Sequence, residues 1–157
     1  MKERSLDYSQ ITDGLIIGRT PRRSDYPRLR EEGITLLINM RAERYAIPTK
    51  GRRSIETLWV PTFDHRRLPI RPTTIHEPAQ RAVDEIEQGG KVYAYCRAGR
   101  HRSVLMGAAI LIGLDYDIEA STSLIKEGRP VADPDIPHIQ NAILEYSAYL
   151  AEQNMLL

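Results

Sequence analysis

The sequence predicts an α/β fold with a central, mostly parallel sheet of four to five strands flanked by helices. Short apolar runs alternate along the chain with segments of helical periodicity, and this order favours crossover connections and parallel strands. Residues 34–40 are apolar almost throughout, which is typical of a strand buried on both faces. Since 157 residues suffice for one substantial core, residues 1–157 are predicted to form a single domain.

Four apolar runs are the predicted strands: residues 15–18, 34–40, 58–63 and 91–96. Pro61 cannot donate to a sheet ladder, so the third strand is expected to be short or at an edge. The only cysteine, Cys96, ends the last strand. Ligands of parallel sheets bind beyond the carboxyl ends of the strands, and Cys96 is predicted to lie there.

Five segments have the periodicity or end signals of helices: residues 24–32, 79–88, 103–114, 117–126 and a last helix from Asp135 onward. Ser24 is the expected cap of the first helix and Gly33 its end. Thr74 and Glu77 have capping-box spacing ahead of the second. One stripe of the last helix is apolar and is formed by Ile139, Ile143, Tyr146 and Leu150.

The overall charge is nearly balanced, at +1, and does not indicate nucleic-acid binding. Arginines nevertheless gather before the second predicted helix, which suggests a local anionic ligand, with a solvated surface as the alternative. They are Arg41, Arg44, Arg52, Arg53, Arg66, Arg67 and Arg71.

The single cysteine permits no internal disulfide, so a reducing compartment, the cytoplasm, is expected. The first residues lack the apolar core of a signal peptide. The longest apolar run, residues 104–114, is shorter than the roughly 20 residues that span a bilayer. No integral membrane segment is therefore predicted.

The segment CRAGRHRS, residues 96–103, connects a strand to a helix and has the chemistry of an oxyanion site. Free backbone N–H groups at a helix start attract anions, and Gly99 permits the tight curvature that turns such groups inward. The same basic surroundings lower a thiol pKa. A buried structural cysteine would account for the thiol but not for three arginines and a histidine in the next six residues. The loop therefore favours a thiolate that attacks a bound phosphate.

The pattern CxAGxxRS, with Cys96 and Arg102 in C-x5-R spacing, resembles the signature loop of cysteine-dependent protein tyrosine phosphatases, in their compact dual-specificity group. GRTP, GITLLINM and EGRPVADPDIPHIQNAILEY extend the resemblance over most of the chain. It implies a cofactor-free phosphomonoesterase in which Cys96 is phosphorylated, Arg102 clamps the phosphoryl group and Ser103 assists departure of the thiolate. The phosphate-binding loop would be formed by Arg97, Ala98, Gly99, Arg100, His101 and Arg102.

The family also uses an aspartate about thirty residues before the cysteine as general acid, and the resemblance assigns this role to Asp64 in VPTFDHRRLP. Asp64 could instead cap the turn, and His65 is interpreted as a loop residue. Tyr95 departs from the family, which places a histidine before the cysteine. The tyrosine hydroxyl could donate a hydrogen bond in its place, or the ring could pack in the core.

Several alternatives stay open. The loop is similar to that of rhodanese-type sulfurtransferases, but theirs is one residue shorter, and a phosphate-binding module without turnover is a further alternative. Substrates are expected to be phosphoproteins, bearing phosphotyrosine and also phosphoserine or phosphothreonine. Basic Arg97 and Arg100 are similar to loops of phosphoinositide and phosphatidylglycerophosphate phosphatases, so a phosphorylated lipid headgroup comes second.

Two further expectations concern the remaining basic residues. Arg66, Arg67 and Arg129 could form a basic rim around the site, whereas the arginines of residues 41–53 are interpreted as solvated. No metal is expected, because the four histidines show no ligand spacing. They are His65, His76, His101 and His138.

Overall fold

The structure is a computed structural model that describes residues 5–45 and 55–157. It has five strands: β1 (Tyr8–Gln10), β2 (Leu15–Arg19), β3 (Leu36–Arg41), β4 (Glu56–Thr62) and β5 (Val92–Cys96). Its five α-helices are α1 (Tyr26–Glu31), α2 (Pro72–Glu87), α3 (Arg102–Gly113), α4 (Ile118–Gly128) and α5 (Pro137–Met155). None of the helices described is long and apolar enough to cross a bilayer.

The strands form one sheet in the order β1-β2-β5-β3-β4, and all neighbouring pairs except β1–β2 are parallel. The predicted α/β class and mostly parallel sheet are therefore confirmed. The first five residues of β3 are buried, as expected for a continuously apolar run. The strand containing Pro61 lies at the edge, where a missing N–H is tolerated. The short antiparallel β1 was not predicted, because YSQ carries no apolar signal.

Helices cover both faces of the sheet. Helices α2 to α5 share the larger core cluster with inward side chains such as Leu36, Ile38 and Ala94. Helix α1 covers the other face, where Tyr26 and Leu29 pack against Leu37 and Tyr95. Because successive strand residues point to opposite faces, Cys96 faces the larger cluster and Tyr95 the smaller one.

Helix starts differ from several predictions. Ser24 is not a cap: residues Arg23–Asp25 form a 3₁₀ helix in which Asp25 accepts a hydrogen bond from the Arg22 N–H, and α1 begins after it. Helix α2 begins at Pro72, so Thr74 and Glu77 lie inside it, because proline fits the first helical position.

The other predicted helix ends agree more closely. Gly33 follows α1 with a φ of +82°, as a helix stop requires. The side chain of Asp117 caps α4 as predicted by accepting a hydrogen bond from the Ala120 N–H. Helix α5 begins two residues after Asp135, whose carboxylate instead pairs with Lys126. The predicted stripe of α5 is buried.

The carboxyl ends of three adjacent parallel strands determine where the site lies. Glu43 follows β3, Asp64 follows β4, and Cys96 ends β5. Parallel strands bring these ends to one edge of the sheet, where residues 97–101 turn into α3.

Candidate active site

The loop from Cys96 to α3 is tightly curved and anchored from behind. Gly99 has a φ of +66°, and a Cβ at this position would come within 2.7 Å of the Gly18 backbone. Only glycine fits such a conformation and approach. The buried Arg129 guanidinium donates to the carbonyls of Gly99 and Ala98, over 2.7 and 3.1 Å. Asp7 accepts two further hydrogen bonds from Arg129, so the outer side of the loop is fixed.

The surroundings of Cys96 lower the pKa of its thiol. Burial raises its pKa, but hydrogen bonds from the Ser103 side chain and backbone and from the Gly99 backbone outweigh this effect. The nearby charge of Arg102 acts in the same direction, so the pKa of Cys96 is lowered overall. The Ser103 hydroxyl lies 3.2 Å from Cys96 Sγ, the contact that assistance to a leaving thiolate requires.

Arg102 is 5% exposed, and its side chain contacts residues of β3 and β4. It donates to the Thr62 carbonyl over 2.8 Å, and its two terminal nitrogens each lie 3.0 Å from a carboxylate oxygen of Glu43. Hydrogen bonding by Arg102 lowers the pKa of Glu43 to about 2, against a smaller opposing effect of burial. Glu43 therefore stays a carboxylate that orients Arg102, and it was not predicted from the sequence.

Asp64 lies between two histidines. Its Oδ2 accepts a hydrogen bond from His101 Nδ1 over 2.8 Å, and its Oδ1 accepts one from His138 Nε2 over 2.7 Å. Burial raises the pKa of Asp64, but the two histidine hydrogen bonds lower it below its ordinary value. The two imidazole rings pack edge to face, with centroids 6.0 Å apart.

One open cavity of about 670 Å³ brings most of the predicted site residues together. Its lining includes Cys96, Asp64, Arg102 and the intervening loop, together with Glu43 and the exposed side chains of Phe63 and Leu68. Ser103 is fully buried behind the thiol. A thiol, a guanidinium group and a carboxyl group thus line one space large enough for a phosphate ester.

Known proteins resemble this chain in sequence and in fold. No family model matches the chain. It is 27% identical to mouse dual specificity phosphatase 28 over 132 residues, covering 82% of the chain and 77% of the relative. For the human form the identity is also 27%, over 152 residues that cover 94% of the chain and 81% of the relative. The chain is therefore similar to the compact dual-specificity group of cysteine-dependent phosphatases.

Solved structures of dual-specificity phosphatases and their relatives share the fold. A mouse dual specificity phosphatase complexed with zinc tungstate superposes with a TM-score of 0.83, at 22% identity, covering 98% of this chain and 94% of that one. A structure titled PTPMT1 in complex with PI(5)P superposes with a TM-score of 0.77, at 22% identity, covering 93% of this chain and 98% of that one.

Tyr95, the residue before Cys96, packs in the core. It is 2% exposed and lies among Tyr26, Leu37 and Tyr93 on the sheet face opposite Cys96. Among the described residues its hydroxyl has no hydrogen bond to the phosphate loop. Of the two open interpretations, the structure supports packing, and burial raises the pKa of this tyrosine.

The basic-rim prediction is wrong for Arg129, which is 1% exposed and anchors the loop from inside the protein. Arg66 and Arg67 are exposed but do not line the cavity. Arg97 does line it, and so does Arg100, whose Nε donates to the Val131 carbonyl.

The solvated interpretation of residues 41–53 fails for Arg41, whose side chain is 12% exposed and contacts Glu43 and Thr20. Arg44 is exposed but lines a second cavity beside the loop. Arg52 and Arg53 lie outside the described residues. His65 accepts a hydrogen bond from the Arg67 N–H, in agreement with its interpretation as a loop residue.

Three contacts at the site were not predicted from the sequence. Glu43 contacts Arg102, His138 contacts Asp64, and Arg129 contacts the loop carbonyls. His101 was expected only as part of the phosphate loop, yet its ring also contacts Asp64. Each contact joins segments far apart in sequence. Glu43 lies two residues after the end of β3, and its position near a strand end was the one available signal.

Proposed function

We propose that this phosphatase hydrolyses phosphomonoesters of proteins, phosphotyrosine above all and phosphoserine or phosphothreonine as well, through a cysteinyl-phosphate intermediate. The observation that carries the proposal is that Cys96 and Asp64 line the same cavity. The pKa of the Cys96 thiol is also lowered there, which favours the thiolate. The whole chain, residues 1–157, would act as one catalytic domain.

In the first step the Cys96 thiolate attacks phosphorus and the bond to the ester oxygen breaks. Backbone N–H groups of residues 97–102 and the Arg102 guanidinium bind the three non-bridging oxygens, which carry the negative charge. Protonated Asp64 gives its proton to the leaving oxygen, because an alkoxide or phenoxide leaves poorly at neutral pH.

In the second step water attacks the phosphocysteine. Asp64, now a carboxylate, accepts a proton from this water, and the bond between phosphorus and sulfur breaks. The Ser103 hydroxyl, 3.2 Å from Sγ, stabilises the thiolate as it leaves. Inorganic phosphate departs, and both Cys96 and Asp64 return to their starting states. The positive charge comes from Arg102 and the loop, so the proposed cycle uses no metal or cofactor.

Glu43 contacts the same guanidinium group that would bind a phosphate. Both terminal nitrogens of Arg102 contact this carboxylate. A phosphate dianion must therefore share the guanidinium with Glu43 or displace it. We infer that Glu43 holds Arg102 beside the cavity between turnovers.

The decisive experiment is hydrolysis of para-nitrophenyl phosphate in EDTA, with Cys96→Ser as the comparison. Metal-independent turnover that is lost in this variant supports the proposal. Residual turnover in Cys96→Ser would exclude Cys96 as the nucleophile. Binding of vanadate without any turnover by the unaltered protein would favour a non-catalytic phosphate-binding module.

Asp64→Asn tests the general acid. Aryl phosphates with poor leaving groups should slow by about 10²- to 10⁴-fold, because they need the proton. Aryl phosphates with good leaving groups should lose much less. An equal loss for both kinds of substrate would contradict the acid role of Asp64.

A lipid headgroup is the second candidate substrate. It is favoured by the basic Arg97 and Arg100 in the loop and by the structural likeness to PTPMT1, solved in complex with PI(5)P. Turnover of soluble phosphotyrosine peptides and of phosphoinositide vesicles by the same preparation distinguishes the two. Because the chemistry needs a free thiol on the one cysteine, we place the enzyme in a reducing compartment, the cytoplasm.

A further inference from the structure

An open groove of about 700 Å³ lies between α2 and β4 and is not used by the mechanism above. Among the described residues, none that lines this α2–β4 groove also lines the catalytic cavity. Apolar residues from both elements contribute to its lining, namely Leu58 and Val60 from β4 and Pro78 from α2. The groove therefore offers an apolar surface outside the proposed active site.

The α2–β4 groove is negatively charged. Glu56, Glu77 and Asp84 line it, and all three are exposed. Among the described residues, Arg81 is the one lysine or arginine in this lining, and it is already compensated by Glu56 at 2.7 Å and Glu85 at 2.6 Å. Glu77 and Asp84 make no ion pair within the described parts of the chain. Two free carboxylates beside an apolar surface complement a ligand that is both cationic and apolar.

One wall of the groove is an open sheet edge. Strand β4 is the last in the strand order and pairs with β3 alone among the described strands. Backbone N–H and C=O groups on its outer side are therefore available to pair with a further extended segment. Pro61 has no N–H, so such pairing is limited to residues 56–60.

The spacing of the two free carboxylates fits an extended chain. Glu77 and Asp84 lie about two turns apart on α2, which is about 10 Å along the helix. In an extended segment, side chains four positions apart lie on the same face and are about 13 Å apart. Two long basic side chains at that spacing can reach both carboxylates, and the residue midway between them would meet the apolar lining.

The charge of the groove also argues against a second copy of this chain as its occupant. Two copies meeting at this edge would bring their free carboxylates together. Pro61 and the charged Glu56 on an edge strand are features that oppose pairing between identical strands. An anionic lipid surface would be repelled by the same carboxylates.

We propose that the α2–β4 groove docks an extended basic segment of a partner protein, which pairs with β4. The segment would carry two lysines or arginines four positions apart, with an aliphatic residue midway between them. Its basic side chains would bind Glu77 and Asp84, and its aliphatic side chain would contact Leu58 and Val60. This docking surface lies outside the catalytic cavity and does not depend on the proposed function.

The experiment measures binding of two fluorescently labelled peptides to the full chain by anisotropy. One peptide has lysine, leucine and lysine at alternating positions with threonine between them, and the other has glutamate in place of both lysines. At low ionic strength the basic peptide should bind at least about tenfold more tightly, and high salt should reduce the difference. Trp59, the single tryptophan of the sequence, lines the groove, so its emission should change as the basic peptide binds.

The double variant Glu77→Lys, Asp84→Lys should bind the basic peptide about tenfold more weakly and prefer the acidic one, because two attractions become repulsions. The matched control is Glu145→Lys, Glu152→Lys, which makes the same change in net charge at exposed positions of α5 outside the groove. This control should bind the basic peptide as the unaltered protein does, to within about twofold. Neither double variant should alter turnover of para-nitrophenyl phosphate, since none of the four residues lines the catalytic cavity.

Equal affinities of the unaltered protein for the basic and acidic peptides would overturn the inference. Equal weakening by both double variants would also overturn it, because only net charge would then matter. Unchanged Trp59 emission at saturating peptide would place the binding elsewhere. Dimerisation of the unaltered protein that Glu77→Lys, Asp84→Lys abolishes would assign the groove to a second copy instead.

This binding measurement needs no turnover. Loss of para-nitrophenyl phosphate hydrolysis in every protein would contradict the proposed function, while selective binding of the basic peptide would still support the docking surface.

Discussion

The Nε2 atom of His138, in the first turn of α5, donates a hydrogen bond to Oδ1 of Asp64 over 2.7 Å. His101 binds the other oxygen of the same carboxyl group from the phosphate loop. The proposed general acid is thereby fixed against the loop that would hold the substrate. The same two contacts lower the pKa of Asp64, so its protonated form is present mainly at acidic pH. An acidic optimum for the first chemical step follows.

Replacing His138 by alanine should raise the pKa of Asp64 toward its ordinary value. Since the acid must be protonated in the first step, the basic limb of the kcat profile should move to higher pH, by up to about one unit. The maximal kcat should fall about tenfold because the carboxyl group loses one of its two positioning contacts. The measurement is a pH profile of kcat with an aryl phosphate that has a poor leaving group.

His138→Gln is the matched variant, because its amide can still donate to Asp64, and it should restore part of the lost kcat. The charged and titratable groups that line the cavity with Asp64, and Asp133 beyond His101, stay in place. Those lining the cavity are Glu43, His65, Cys96, Arg97, Arg100, His101 and Arg102. An unchanged basic limb in His138→Ala would show that His138 does not act on the general acid.

Glu43→Gln should strengthen binding of inorganic phosphate by about tenfold, because a unit negative charge beside the anion is removed. The pKa of Glu43 is about 2, so the carboxylate competes for Arg102 throughout the accessible pH range and the effect should not depend on pH. Competitive inhibition of para-nitrophenyl phosphate hydrolysis measures it. Glu56→Gln, which removes a carboxylate paired with Arg81 outside the catalytic cavity, is the control. Weaker phosphate binding in Glu43→Gln would instead show that Glu43 holds Arg102 in its binding position.

Tyr95→Phe should leave kcat/KM and the acidic limb of its pH profile unchanged, to within about twofold. The Tyr95 ring is buried on the sheet face opposite Cys96, and the variant keeps this packing. Titration of the Cys96 thiolate by the pH dependence of alkylation provides a second measurement. A rise in the thiol pKa would show that the hydroxyl takes part in acidifying Cys96.

Arg129→Met should lower the free energy of unfolding by about 3 kcal/mol, because two loop carbonyls and Asp7 lose a buried cationic donor. Vanadate affinity should fall with it, since the loop is no longer anchored. Urea denaturation and vanadate inhibition are the measurements. Asp7→Asn keeps the guanidinium and both loop contacts but leaves the buried charge of Arg129 without its carboxylate. It should therefore lower stability as well, while vanadate affinity falls less than in Arg129→Met. Unaltered stability and vanadate affinity in Arg129→Met would contradict the anchoring role.

Local signals in the sequence were enough to predict the class of fold and the position of Cys96 in a loop between a strand and a helix. The apolar run before Cys96, the glycine at position 99 and the arginine at position 102 act within one strand-loop-helix unit. Their effects depend on neighbours in the chain, so they can be read from residue types and spacing. Pro61 lacks an N–H group, which predicted that its strand is short or at an edge, and the strand does lie at the edge of the sheet.

Tertiary structure alone decided which distant side chains act on that loop. His138 and Asp64 are 74 positions apart, Arg102 and Glu43 are 59, and Arg129 and Gly99 are 30. No periodicity or local motif encodes these contacts, because they arise from strand order and from helices that pack across the sheet. The sequence therefore determined which residues form the loop after Cys96. The fold determined how Asp64 and Arg102 are held, because hydrogen bonds form between atoms close in space, whatever their separation along the chain.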